Sequence, residues 1–183
     1  MKRIVALLVV TGLLAATAVA VYAETATVSI TAGTLTVDAN DVALSAVVLD
    51  GTDKTATSAS GSNNWAAEDA RGTGVGWHLT IDATDFTDAG KTINISAADQ
   101  EFKIQLLDTN IAVVSGNAKP TSSVTSLAAI PEAPAAALTF ASAALNEGMG
   151  SYTLGPNFEL EVPAETLAGN YSSTITVTAI TAP

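Results

Sequence analysis

"RGTGVGWHLTID", residues 71–82, packs three glycines into five positions and then alternates apolar with polar side chains. In a strand, successive side chains point to opposite faces. Trp77, Leu79 and Ile81 would therefore share one face, and His78, Thr80 and Asp82 the other. A phosphate-binding loop needs Gly-x-x-x-x-Gly-Lys-Ser/Thr opening a helix, and a dinucleotide fingerprint needs its glycines between a strand and a helix. Here the glycines lead into a strand and no lysine follows. Residues 72–76 thus read as a tight turn that launches a core-facing strand. The core is the favoured place for Trp77, because large aromatics anchor sandwich interiors. An exposed ring on which a sugar stacks is the alternative.

The same period-two alternation recurs outward from this stretch. "TATVSI" (25–30), "TLTVDA" (34–39), "EFKIQLLD" (101–108), "NFELEV" (157–162) and "STITVTAI" (173–180) all read as strands rich in β-branched residues. Between them "LDGTDKTATSASGSNN" (49–64) and "DATDFTDAGK" (82–91) read as turns. In the Ala- and Pro-rich stretch 119–145, Pro120, Pro131 and Pro134 argue against a central strand. A long loop is expected there, with one edge strand or a short helical turn near 135–138. No amphipathic helix is found, so the expected class is all-β, a single sandwich or barrel-like domain.

Lys2 and Arg3, an apolar run from Ile4 to Val21 and the small-residue ending "VYA" (21–23) read as a signal peptide. Removing the first 23 of 183 residues leaves a domain at 24–183, long enough to bury an ordinary core. Five basic residues (Lys54, Arg71, Lys91, Lys103, Lys119) then face eighteen acidic ones. That balance makes nucleic acid and anionic membrane surfaces poor partners. The same repulsion acts against wall teichoic acids, so any attachment to a bacterial wall must be local and stereospecific. Without cysteine, neither disulfides nor thiolate metal sites are available.

Catalytic signals are sparse. His78 is the only histidine and lacks a nucleophile-elbow partner, so no enzyme is expected. Carboxylates cluster at Asp82, Asp85 and Asp88, at Asp38 and Asp41, and at Asp50 and Asp53. Such loops hold calcium in extracellular β proteins, but the ligand count does not close, so no cofactor is expected and calcium stays the alternative. Asp69 and Arg71 are placed to form an ion pair that fixes the glycine turn; if exposed, it would contribute about 0–1 kcal/mol. "LAGNY" (167–171) has the form of a tyrosine corner, in which the Tyr171 hydroxyl caps nearby backbone. Tyr171, Ser173, Ile175 and Val177 share one strand face.

"WAAEDARGTGVGWHLTIDATDF" (65–86) resembles the first motif region of the WxL domain family, with Asp69, Arg71, Gly72, Gly74, Gly76, Trp77 and Leu79 on its pattern. "YSSTITVT" (171–178) is similar to the distal motif through Tyr171, Ile175 and Val177, with Ile175 where the family has Leu. "AGTLTV" (32–37) is similar to its Gly-rich opening strand. The resemblance implies an exported protein held non-covalently on the cell wall, by peptidoglycan or another wall glycan, by a membrane-anchored WxL-interacting partner, or by both. No sortase-type signal is read in "TAITAP" (178–183), which agrees with non-covalent retention. The alternative is a structural subunit that self-associates by strand addition into a surface layer or filament, using its Thr-rich edge strands and the segment from Glu24.

Overall fold

The computed structural model describes residues 25–59, 63–134 and 136–182. The expected signal peptide, 1–23, lies outside them. The described residues include no α-helix, and none of their helices is long and apolar enough to cross a membrane. Two units divide the chain at Ile30/Thr31. In the first, residues 25–30 form no strand and are all exposed, so the alternation of "TATVSI" does not yield the expected strand. A period-two pattern specifies two faces but does not supply a partner ladder.

In the second unit, three four-stranded antiparallel sheets form. The first runs β1 (Leu35–Asp38), β3 (Trp65–Asp69), β12 (Gly150–Leu154), β8 (Ile111–Gly116). The second runs β10 (Ala128–Ala129), β7 (Phe102–Gln105), β13 (Asn157–Val162), β2 (Lys54–Thr57). The third runs β14 (Ile175–Thr181), β4 (Trp77–Ala83), β11 (Leu138–Ala143), β9 (Thr121–Ser122), and β5 (Phe86–Asp88) with β6 (Lys91–Ile93) makes a separate hairpin. No strand order closes into a barrel among the described residues.

The three sheets meet in one aromatic core. Trp65 of β3 lies 5.9 Å from Phe140 of β11 and 5.5 Å from Phe158 of β13, so one ring touches all three sheets. Phe158 stacks on Phe102 of β7 at 5.6 Å, and Phe102 meets Phe86 edge-on at 5.0 Å. Trp77 of β4 reaches Tyr152 of β12 at 6.5 Å. Fully burying a side chain of this kind contributes about 1.5–3 kcal/mol, which is how a chain without disulfides holds together.

The turn-rich readings need correction. Residues 49–64 contain β2 and residues 82–91 contain β5, both too short to stand out from the polar residues around them. The 119–145 loop is a larger error, since it holds β9, β10 and β11. Its prolines all fall outside those strands, so they do not block the ladder. β11 is interior, paired with β4 on one side and β9 on the other. A register shift between Thr139 and Ala141 buries both Phe140 and Ala141, which breaks the alternation a pattern reading looks for.

Candidate functional site

On β4 the side chains of Trp77, Leu79 and Ile81 are completely buried, while His78 and Asp82 are half-buried on the opposite face. Register with β14 runs the full strand, from Thr181 opposite Trp77 to Ile175 opposite Ala83. The Trp77 indole N–H donates to the Gly148 carbonyl at 2.9 Å, and the Trp65 indole N–H to Asn40 at 3.1 Å. Each ring is thus a satisfied core residue. Sugar stacking on either tryptophan is overturned, because neither ring face reaches solvent.

The glycine loop is shaped by backbone rather than by a ligand. Gly72, Gly74 and Gly76 all have positive φ, and a Cβ on Gly76 would collide with the Ala143 carbonyl oxygen of β11. Arg71 closes the loop. Its Nε and Nη2 donate to the two carboxylate oxygens of Asp69 at 2.9 Å each, Nη2 also to the Gly76 carbonyl at 2.9 Å, and Nη1 to the Thr181 hydroxyl at 2.7 Å. The ion pair expected from sequence forms and is desolvated, with Asp69 and Arg71 side chains 1% and 13% exposed. Hydrogen bonds from the Arg71 guanidinium hold the Asp69 carboxyl below its usual range, against the opposing effect of burial, and Arg71 is raised in return.

Four of the carboxylates considered as calcium candidates are used internally. Asp50 accepts from Lys54 and Thr52, Asp53 from the Ala164 N–H, Asp85 from the Ile95 N–H, and Asp88 from Lys91 and the Asn170 N–H. No group of three or more His, Cys, Asp or Glu able to hold a metal occurs among the described residues. The cations are equally committed. Lys54, Arg71, Lys91 and Lys103 sit in ion pairs, and Lys119 donates to the Asp108 and Ile111 carbonyls.

A cleft of ≈ 950 Å³ lies between residues 39–49 and 166–175. Ligand sites are commonly about 300–1,000 Å³, with apolar walls and a few polar groups. Phe86, Phe102, Leu160 and Val162 contribute the apolar lining, Asn40, Asp41 and Ser45 line one side, and Asn170, Tyr171 and Ser172 the other. Tyr171 is held in place because its hydroxyl donates to the Leu167 carbonyl at 2.8 Å, the tyrosine-corner contact expected from "LAGNY". Ile175 also lines this cleft, and both Ile175 and Val177 pack half-buried against the core. Of the ten residues singled out from sequence, the cleft brings together Tyr171 and Ile175; the other eight build the turn and core. Residues 39–49, the far wall, carried no sequence signal beyond Asp41.

No curated protein matches the chain. A family model described as WxL domain surface cell wall-binding matches residues 21–183, nearly the whole length. With the buried Trp-x-Leu strand, its arginine-closed glycine turn and the Tyr171 strand entry all in place, the chain belongs to the WxL family of surface domains that bind the cell wall.

Proposed function

We propose that this domain holds itself on the wall by taking a neutral, amide-bearing wall glycan, the backbone of peptidoglycan, into the cleft between residues 39–49 and 166–175. The cleft carries the reading: its apolar lining suits sugar C–H faces and acetamido methyls, and its two polar sides supply donors and acceptors for hydroxyls and amides. Tyr171 takes the stacking role that Trp77 cannot, being a half-buried aromatic on the cleft wall with a fixed hydroxyl. With every described lysine and arginine already engaged, a polyanion such as teichoic acid finds no available cation, which favours the neutral glycan. No catalytic step is proposed.

The test is sedimentation of the chain from Glu24 with purified, teichoic-acid-free peptidoglycan. Wild type is expected in the pellet. Ala46→Trp, at an exposed position lining the cleft, is expected to stay in the supernatant with an unchanged melting temperature. A folded wild-type protein left in the supernatant refutes the reading. If that protein pellets only with crude walls, a surface-protein partner carries the attachment instead.

A further inference from the structure

Sheet edges in this protein are protected unequally. β9 and β10 are two residues each, and β2 is flanked by a bridge from Ser58 to Leu44 and a hydrogen bond from the Ser45 N–H to Thr57. The exposed positions of β1 and β14 include Thr36, Asp38, Thr176 and Thr178. β8, "IAVVSG", lacks charge and proline as β14 does, but it is more exposed and more apolar: five of its six residues are exposed, with Val113 and Val114 at 48% and 64%, whereas β14 exposes threonines and Ile180 at 39%. It ends the first sheet, paired with β12 alone. The Lys119 ammonium, 3.3 Å from the Ile111 carbonyl, guards only its first residue. An uncharged, apolar edge of this length is a template for another strand.

The chain also carries a matching strand. Residues 25–30, "TATVSI", are uncharged, equal in length to β8, and place Ala26, Val28 and Ile30 on one face of an extended chain. They form no strand, belong to a unit separate from the body at 31–183, and leave Val28 and Ile30 84% and 90% exposed. In a chain of net charge −11, two uncharged six-residue segments with bare β-branched side chains are the surfaces that copies can bring together without charge repulsion.

We infer that residues 25–30 of one copy add as a strand to the β8 edge of a second copy. Donor and acceptor are different parts of the same chain, so the contact is heterologous and repeats head to tail into an open polymer. This goes beyond wall binding and does not involve the cleft.

The absence of cysteine makes the test direct. Chains from Glu24 carrying Val28→Cys and Val114→Cys are mixed under mild oxidation without wall material, and the double variant is oxidised alone. Expected are disulfide dimers at least tenfold above a Val28→Cys with Ala46→Cys control, and a ladder of higher species from the double variant. Cross-linking at the control level overturns the inference. So does an intrachain disulfide in the double variant, which would place the segment on its own edge. Unmodified wild type is expected to scatter light increasingly with concentration, whereas Val114→Lys, at an exposed position, should stay monomeric with an unchanged melt; equal scattering from both overturns the inference as well. Peptidoglycan sedimentation of Val114→Lys is expected to match wild type, so the polymer and the cleft fail separately.

Discussion

Replacing Arg71 by alanine tests whether the glycine turn is held by a desolvated ion pair. Four side-chain hydrogen bonds disappear, but they differ in weight. The Gly76 carbonyl retains the Ala182 N–H at 3.3 Å, and Thr181 is exposed, so losing these two contacts costs little. Asp69 is the expensive group, because its carboxylate, 1% exposed, loses both Arg71 side-chain bonds. Removing one partner of a buried pair costs about 3–5 kcal/mol. At about 2–4 °C per kcal/mol for a domain of this size, the melting temperature should fall by about 6–20 °C. The pH dependence adds a second constraint. In wild type the folded Asp69 pKa lies below its unfolded value, so the pair's contribution is present above about pH 4 and is lost as pH falls through the folded value. The gap between wild type and Arg71→Ala should therefore be widest near neutrality and shrink on acidification. Asp69→Asn added to Arg71→Ala should recover part of the loss, since the stranded charge is gone. Thermal melts by circular dichroism at several pH values decide it. A fall below about 2 °C at pH 7, the behaviour of an exposed pair, would refute the argument.

Three further outcomes are expected. Gly76→Ala should destabilise far more than Gly72→Ala: both need positive φ, about 1–2 kcal/mol for alanine, but only at Gly76 does the added methyl meet the Ala143 carbonyl, which melts of the two variants will compare. Tryptophan emission should be blue-shifted and resist iodide quenching, because Trp65 and Trp77 are both buried; strong quenching in the folded protein would contradict the core assignment. By carboxyl NMR, Asp50 should titrate at about 2, lowered first by its hydrogen bond from Lys54 and then by Thr52, and Lys54→Met should return it toward the ordinary aspartate range.

Much of the sheet structure was legible because burial on one face alone imposes period two. β7 and β13 keep that alternation between buried and half-buried positions, and "EFKIQLLD" and "NFELEV" display it; β4 departs from it only at Thr80, which is buried between Leu79 and Ile81 although "WHLTID" alternates in type. The reading failed where both faces or neither are buried. β11 buries consecutive residues through its register shift, and β8 exposes both faces, so neither leaves an alternating trace. "TATVSI" failed in the opposite way, carrying the pattern without a ladder. The Asp69–Arg71 pairing followed from proximity, but its burial did not, since Asp69 lies on β3 between Leu35 of β1 and Gly150 of β12, both distant in sequence. Tyr171 announced its own hydrogen bond locally. The cleft it lines was not legible, because its walls come from segments more than a hundred residues apart that share no motif.

Arg71 and β4 also tie this fold to the order in which the chain emerges. β4 pairs along its whole length with β14, and Arg71 reaches Thr181, so the signature strand lacks one neighbour until residue 181 is available. Trp77 and Leu79 precede their β14 partners by about a hundred residues of chain. Closure must await that late partner, since non-local strand pairing is slow to form. The third sheet is therefore completed from far along the chain: without β14 the Trp-x-Leu strand would be a sheet edge beside β11, and pairing with β14 makes it interior.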